Sequence, residues 1–249
     1  MQTKETTCAF IHSRDSSMLT VLNPHDVQQP FPDVTEALDE PNGLLAVGGC
    51  LSPQRLASAY RQGIFPWYGE GEPLLWWSPD PRLILNPDDF RVSRSLGKIL
   101  RRGEFQFSFD ACFDEVMKAC AEPRAYATGT WIIPEMQRAY GKFHRLGFAH
   151  SFEAWQGRRL VGGLYGVAMG QVFFGESMFH RASNASKAAF AFAVGCLKQW
   201  GYRLIDCQVY TDHLASLGAE EIARAEFVRL LDRLCGLPVA PAAWRSADA

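Results

Sequence analysis

The sequence predicts a mixed α/β (α+β) fold, with helices first, then antiparallel strands, then helix, strand and helix around one sheet. Three observations predict it. Ala149–Trp155, Arg159–Ala168 and Val172–Ser177 are strand-length runs joined by turn signals at Gln156-Gly157 and Met169-Gly170. Asn184–Trp200 then sets Ala189, Ala193, Cys196 and Trp200 beside Phe190, Val194 and Leu197, a broad helical apolar face ended by Gly201. Leu204–Tyr210 returns to strand composition, and Phe227, Leu230, Leu231 and Leu234 mark a last helix. A length of 249 residues allows one large domain or a small domain joined to a larger one; the expected division is a small N-terminal domain, 1–82, and a larger C-terminal one, 83–249.

Residues 1–30 are polar and without a strong period, and read as an irregular extension. Asn42-Gly43 and Gly48-Gly49 mark turns around the apolar run Leu44–Val47. Ser52-Pro53 opens a helix, with Ser as N-cap and Pro at the first position. Leu56, Ala59 and Tyr60 form its stripe, and Gly63 suits its stop. From Gly63 to Arg82 prolines and tryptophans crowd an irregular stretch. It is either a packed connection between domains or a surface on which a ring stacks.

Ser93–Arg102 reads as an amphipathic helix ended by Gly103. Val92, Leu96, Ile99 and Leu100 make one face, and Arg94, Lys98, Arg101 and Arg102 another. Cations without an interleaved acid make either a solvated face or a phosphate contact. Asp110 is expected to cap a helix that turns Phe113, Val116, Met117 and Cys120 inward. Pro134 starts another, with Met136, Tyr140 and Phe143 at core spacing and Gly147 at its end.

Hydrophobic content of 47% and charged content of 21% describe an ordinary globular protein with ample core material, including 17 Phe and 7 Trp. A net charge of −2 excludes a global field drawing in nucleic acid, so any such partner needs a local basic patch. Seven scattered Cys without a CxxC pair point to reduced thiols and a cytoplasmic protein. No run approaches the ~20 apolar residues of a membrane span, and no signal segment is seen. The six His lack metal-ligand spacing, so no metal is expected; His144 and His150 read as surface or satisfied histidines.

The chemistry concentrates late in the chain. Gly175-Glu176-Ser177-Met178-Phe179 and Leu204-Ile205-Asp206-Cys207-Gln208 put polar groups inside strand-like apolar runs. An unpartnered buried carboxylate or amide is costly, so such strands usually serve a site. On a regular strand Asp206 and Gln208 share one face and Ile205 and Cys207 the other. An acid and an amide side by side on a rigid element suit the orientation of a nucleophile.

These two strings, together with Asn184-Ala185-Ser186-Lys187, Pro41-Asn42-Gly43-Leu44-Leu45-Ala46, Gly63-Ile64-Phe65-Pro66-Trp67, Leu75-Trp76-Trp77-Ser78-Pro79-Asp80-Pro81-Arg82, Gly129-Thr130-Trp131 and Ala215-Ser216-Leu217-Gly218-Ala219, resemble the bacterial leucyl/phenylalanyl-tRNA–protein transferases. The resemblance runs from about Phe31 to Leu234. It implies a C-terminal domain similar to GCN5-related acetyltransferases (GNAT-like), with a mixed, mostly antiparallel sheet. It also implies transfer of Leu or Phe, less readily Met, from aminoacyl-tRNA to the α-amino group of proteins with N-terminal Arg or Lys, which marks them as N-degrons. The partners implied are Leu-tRNA, Phe-tRNA and those acceptor proteins, with no membrane, no metal and no cofactor, because an aminoacyl ester is already activated.

By the same resemblance Glu176, Asp206 and Gln208 are the catalytic polar groups. A neutral amide is a weak base, so Gln208 is expected to aim the amine through its carbonyl oxygen while Asp206 supplies negative charge and Glu176 engages an ammonium. Leu164, Phe173, Phe190, Leu197 and Ile205 correspond to the aminoacyl pocket, and all fit core packing too. Tyr60, Trp67 and Trp131 correspond to contacts with the terminal adenosine, and Arg94, Lys98 and Arg101 to tRNA phosphate contacts. Thr211 stands where Asn is common in the family, and Ala223 interrupts its Ile-Pro-Arg.

Two rivals follow from the same residues. An acetyl-CoA-dependent GNAT acetyltransferase would need a glycine-rich pyrophosphate turn, and His180-Arg181-Ala182-Ser183-Asn184-Ala185 has none. A non-catalytic tRNA- or N-degron-binding module leaves Asp206 and Gln208 without a task.

Overall fold

A seven-stranded sheet forms the centre of the chain. The computed structural model describes residues 19–122 and 130–245, so residues 1–18 of the expected extension and Gly129 lie outside the described residues. The sheet runs β11 (Glu220–Ile222), β5 (Arg82–Leu85), β10 (Leu204–Gln208), β9 (Val172–His180), β8 (Arg159–Met169), β7 (Ala149–Gln156) and β6 (Gln106–Phe109). All neighbours are antiparallel except β9 and β10, so the sheet is mixed and mostly antiparallel, as the sequence predicts.

A smaller sheet orders β1 (Thr20–Leu22), β2 (Leu44–Gly48), β4 (Leu75–Trp77) and β3 (Phe65–Pro66). Two expectations change here. Residues 20–30 are not an irregular extension: β1 pairs parallel with β2, and the carbonyls of Asp26 and Gln29 accept from the buried Arg55 guanidinium. The Gly63–Arg82 stretch is partly regular, with Trp76 and Trp77 in β4. Strands of two or three residues are too short to show a period.

The helices follow their sequence signals. Ser52 caps α1 (Pro53–Arg61) by accepting from the Arg55 N–H, and Ser93 caps α2 (Arg94–Arg102) by accepting from the Leu96 N–H. Gly63 and Gly103 take the positive φ of +75° and +64° that ends these helices without a Cβ clash. Asp110 is not the cap of α3 (Phe113–Ala121). Cys112 holds that position without a side-chain bond, while the Asp110 carboxylate turns to the Ser151 N–H and to His150. Pro134 opens α4 (Pro134–Arg145). α5 (Ala185–Trp200), α6 (Asp212–Ser216) and α7 (Arg224–Leu234) complete the chain, and Thr211 caps α6 through its hydroxyl.

The sheet separates two cores. Ile84, Tyr165, Val167, Val172, Phe174 and Leu204 face one core, shared with α1, α3, α4, α7 and the small sheet. Leu83, Leu85, Phe152, Leu164, Phe173 and Ile205 face the other, shared with α2 and α5. Burial of these side chains is the main stabilising term, at about 25 cal/mol per Å² of apolar surface. No described helix is long and apolar enough to cross a membrane.

Candidate active site

The site sits where β9 and β10 part. Their parallel pairing ends at Phe174 opposite Asp206, while β9 continues to His180 paired with β8. Both strands are irregular at this fork. In β9, Gly175 and Ser177 pair with the adjacent residues Gly166 and Tyr165, leaving Glu176 as the extra residue of a bulge. In β10, Asp206 and Gln208 pair with the adjacent residues Ile84 and Leu83, and Gln208 has φ +63°. A positive φ at a non-glycine residue marks local strain of the kind found at functional sites.

That irregularity corrects the plain alternation read from sequence. β10 ends at Gln208, not Tyr210, and Gln208 leaves the strand line. Its own N–H donates to Asp206 Oδ1 at 2.9 Å, and its side-chain Nε2 donates to Glu176 Oε1 at 3.0 Å. The amide therefore spans the fork with its nitrogen on the carboxylate, which leaves its carbonyl oxygen as an acceptor.

Glu176 is held by three groups. The Tyr60 hydroxyl from α1 lies 2.7 Å from Oε1 and the Tyr140 hydroxyl from α4 3.3 Å from Oε2, the two phenol oxygens also meet, and the two O–H protons are shared among these three contacts. Desolvation outweighs these donors and pushes the carboxyl up to about 7; nearby Asp206 adds to the rise, and Arg82 opposes it. Burial, with the Glu176 charge second, raises both Tyr60 and Tyr140 above the ordinary phenol range, so they act as donors at neutral pH.

The structure places Asp206 in a buried ion pair. It is 0% exposed, and Arg82 grips it with Nε on Oδ1 at 2.8 Å and Nη2 on Oδ2 at 2.6 Å. The guanidinium also donates to the Gly63 carbonyl at 3.2 Å and lies between the Phe65 and Phe227 rings, 4.8 and 4.7 Å from their centroids. A carboxylate neutralised and walled in this way offers no free charge to a substrate. Its Oδ1 also accepts from the Gln208 N–H.

Tyr60 is placed differently from Trp67. Its ring is 1% exposed and its hydroxyl is committed to Glu176, so it has no open face for a base. Trp67, 49% exposed, does have one; its ring meets Trp77 edge-on, and its carbonyl accepts from Trp77 Nε1. Trp131 is partly buried against the same core as Tyr60. The structure brings Leu164, Phe173, Phe190, Leu197 and Ile205 into one cluster, all buried, on the opposite face of the sheet from Tyr60 and Tyr140. Arg94, Lys98 and Arg101 lie exposed on α2, also on that side; Arg102 is paired with Glu104 at 3.4 Å.

Sequence reasoning missed two site residues. Arg82 stands in the quoted Ser78–Arg82 string, and its signal was a charged residue opening the apolar run Leu83–Leu85. Tyr140 was read as core, and its hydroxyl was the signal. Spacing also hid a cluster: Asp110, His144 and His150 bring ligand-type atoms within 4.8 Å of one another. These atoms are already bonded. His144 Nδ1 meets the Ala149 carbonyl at 2.7 Å, His150 Nδ1 meets Asp110 at 2.6 Å, and the rings stack on Phe113 and Trp244. Both histidines are satisfied, as expected. The six described cysteines are free thiols.

Comparison with known proteins fixes the family. The model of leucyl/phenylalanyl-tRNA protein transferase matches residues 84–232, and that of the family's N-terminal domain matches 49–80. The chain belongs to the leucyl/phenylalanyl-tRNA protein transferase family. A member from Methylococcus capsulatus is 63% identical over 230 residues, 92% of this chain and 98% of that protein. One from Cellvibrio japonicus is 56% identical over 232 residues, 93% and 98% of the two chains. Among solved structures, a GCN5-related N-acetyltransferase from Kribbella flavida gives a TM-score of 0.36 at 12% identity, over 67% of this chain and 60% of that one. Within the transferase family, the fork residues Glu176 and Gln208 fall inside the 84–232 match, whereas Tyr60 comes from the N-terminal one.

Proposed function

We propose that the protein transfers Leu or Phe, less readily Met, from aminoacyl-tRNA to the α-amino group of proteins with N-terminal Arg or Lys, creating an N-degron in the cytoplasm. The carrying observation is the Glu176–Gln208 bond across the fork. It puts a carboxyl group with a proton affinity near neutrality beside an amide whose nitrogen is engaged and whose carbonyl oxygen is the group left to accept.

The reaction needs one proton removed from the incoming ammonium. Its nitrogen then attacks the ester carbonyl carbon, a C–N bond forms, the ester C–O bond breaks, and the ribose hydroxyl leaves with the second proton. Glu176, at about 7, is matched to an α-amine near ~8 and is the better base of the two. Gln208 accepts from the amine N–H and aims its lone pair. Arg82, Asp206, Tyr60 and Tyr140 are positioning residues: the first two hold Gln208, the last two Glu176.

The ester's side chain is received on the apolar side of the fork, by Leu164, Phe173, Phe190, Leu197 and Ile205. Such a surface separates substrates by only ~1–3 kcal/mol per methylene, hence Leu, Phe and Met together. Trp67 and Trp131 stack the terminal adenosine, and Arg94, Lys98 and Arg101 contact tRNA phosphates. The domain boundary at 82/83 belongs to the same reading, supported by family matches that stop at 80 and resume at 84.

The test is direct. Incubated with radiolabelled Phe-tRNA and an Arg-initiated peptide, with no other addition, the protein is expected to label the peptide. Gln208→Ala is expected to reduce this by at least about 10²-fold. Labelling of Ala-initiated peptide as fast as of Arg-initiated peptide would remove the acceptor assignment.

A further inference from the structure

Outside the site, a shallow groove of about 390 Å³ runs between α3 and α4. Lys118 and Asp114 line it from α3, and Arg138, Lys142, Arg145 and Gly141 from α4. Gly141 lies at its floor, where Asp114 Oδ1 and Arg145 Nη1 come within 3.4 and 3.7 Å of the position a Cβ would take. Arg138, Lys142 and Arg145 follow one another at helical spacing, so they form a single stripe. Lys118 faces them across the gap.

Four cations and one carboxylate thus line a single groove, in a chain whose net charge is −2. Among the described residues, none of the four has an ion-pair partner within 4.0 Å. Among the described residues the α2 cations Arg94, Lys98 and Arg101 likewise have none, whereas Arg102 pairs with Glu104, Arg181 with Glu122 and Lys198 with Asp88. Mixed guanidinium forks and ammonium groups around an open trough suit phosphate oxygens. Its place in the fold narrows the ligand further. The same helix turns Tyr140 inward onto Glu176, and Trp131 lies just ahead of its first residue. The groove is therefore on the Glu176 side of the large sheet, whereas the α2 stripe is on the other side.

We propose that the α3–α4 groove binds backbone phosphates of the aminoacyl-tRNA, as an anchor separate from α2. This rests on the functional reading above. Phosphate contacts hold the ligand without reading its sequence, so the groove serves every acylated tRNA alike.

The experiment uses Lys118→Ala with Lys142→Ala, both surface positions, and Lys142→Gln as a variant that keeps helix propensity. Affinity for full-length Phe-tRNA is measured between 50 and 200 mM salt, alongside transfer from the phenylalanyl ester of adenosine, which has no phosphate. Arg94→Ala with Lys98→Ala serves as comparator. The double groove variant is expected to flatten the slope of log affinity against log salt by about 1–2, and Lys142→Gln by about 1. Transfer from the adenosine ester is expected not to share the loss. An unchanged slope in both groove variants, with the α2 pair accounting for the whole effect, would overturn the groove. So would an equal loss on the adenosine ester, which would mean an effect through the site. A wild-type protein that binds tRNA but transfers from neither donor would instead remove the functional reading, and the salt slopes would still decide the groove.

Discussion

The two faces of the large sheet are built from the same strands and do different things. On β9, Phe173 faces one side and Phe174 the other; on β10, Ile205 and Asp206 divide likewise. The α2–α5 side is apolar wherever these strands face it. The α3–α4 side carries Asp206 and Glu176, and each is met by groups from elsewhere in the chain: Arg82 from β5, Tyr60 from α1, Tyr140 from α4. Polar groups persist inside a sheet when distant elements bring partners to them, and here those partners arrive just where the two strands separate.

The largest expected effect tests whether the polar face is kept for stability or for geometry. Arg82→Met leaves Asp206 buried and unpaired, and is expected to cost about 3–5 kcal/mol, measured by denaturant unfolding. Arg82→Met combined with Asp206→Leu replaces the pair by apolar groups and is expected to recover most of that loss. Transfer should stay lost in the double variant, because nothing then accepts the Gln208 N–H. A double variant that regains both stability and transfer would show that the ion pair has no positioning role.

The second effect is on the apolar face. Leu197→Ala removes a fully buried side chain and is expected to cost about 2–5 kcal/mol. If this face also receives the aminoacyl group, the variant shifts the Phe:Leu transfer ratio toward the larger side chain by about 10-fold. Lost stability with an unmoved ratio would make this side a core and nothing more.

Much of this was legible in the sequence, for reasons that differ by region. Long strands and the α5 face declared themselves through period and turn residues, and the serine caps of α1 and α2 did so through local chemistry. The resemblance picked out Glu176, Asp206 and Gln208 before any geometry was known. The partners of these residues were not legible. Tyr60 lies 116 positions from Glu176, and Arg82 lies 124 from Asp206, so no local pattern connects them. A bulge is likewise invisible to alternation: the same Asp-Cys-Gln string is regular on paper and turns at φ +63° in space. Asp206 was therefore read as supplying negative charge and Tyr60 as a contact for the terminal adenosine, and the structure buries both against partners distant in sequence.

The smallest effect concerns Glu176 and is read in pH. Its carboxyl is raised from 4.5 to about 7, chiefly by desolvation. Between those two values the folded state holds a proton that the unfolded state has released, so stability falls as pH rises from about 4.5 through 7 and levels beyond. Glu176→Gln cannot ionise, yet its amide oxygen still accepts from Tyr60. Its melting temperature is expected to change less between pH 5 and 8 than that of the wild type. In the wild type, kcat/KM for transfer should rise through pH 7 as the base loses its proton, then again near ~8 as the amine does. The variant should keep only the second rise, at a lower rate throughout. A pH profile with both rises intact in Glu176→Gln would move the base elsewhere, and the polar face would then differ from the apolar one in architecture alone.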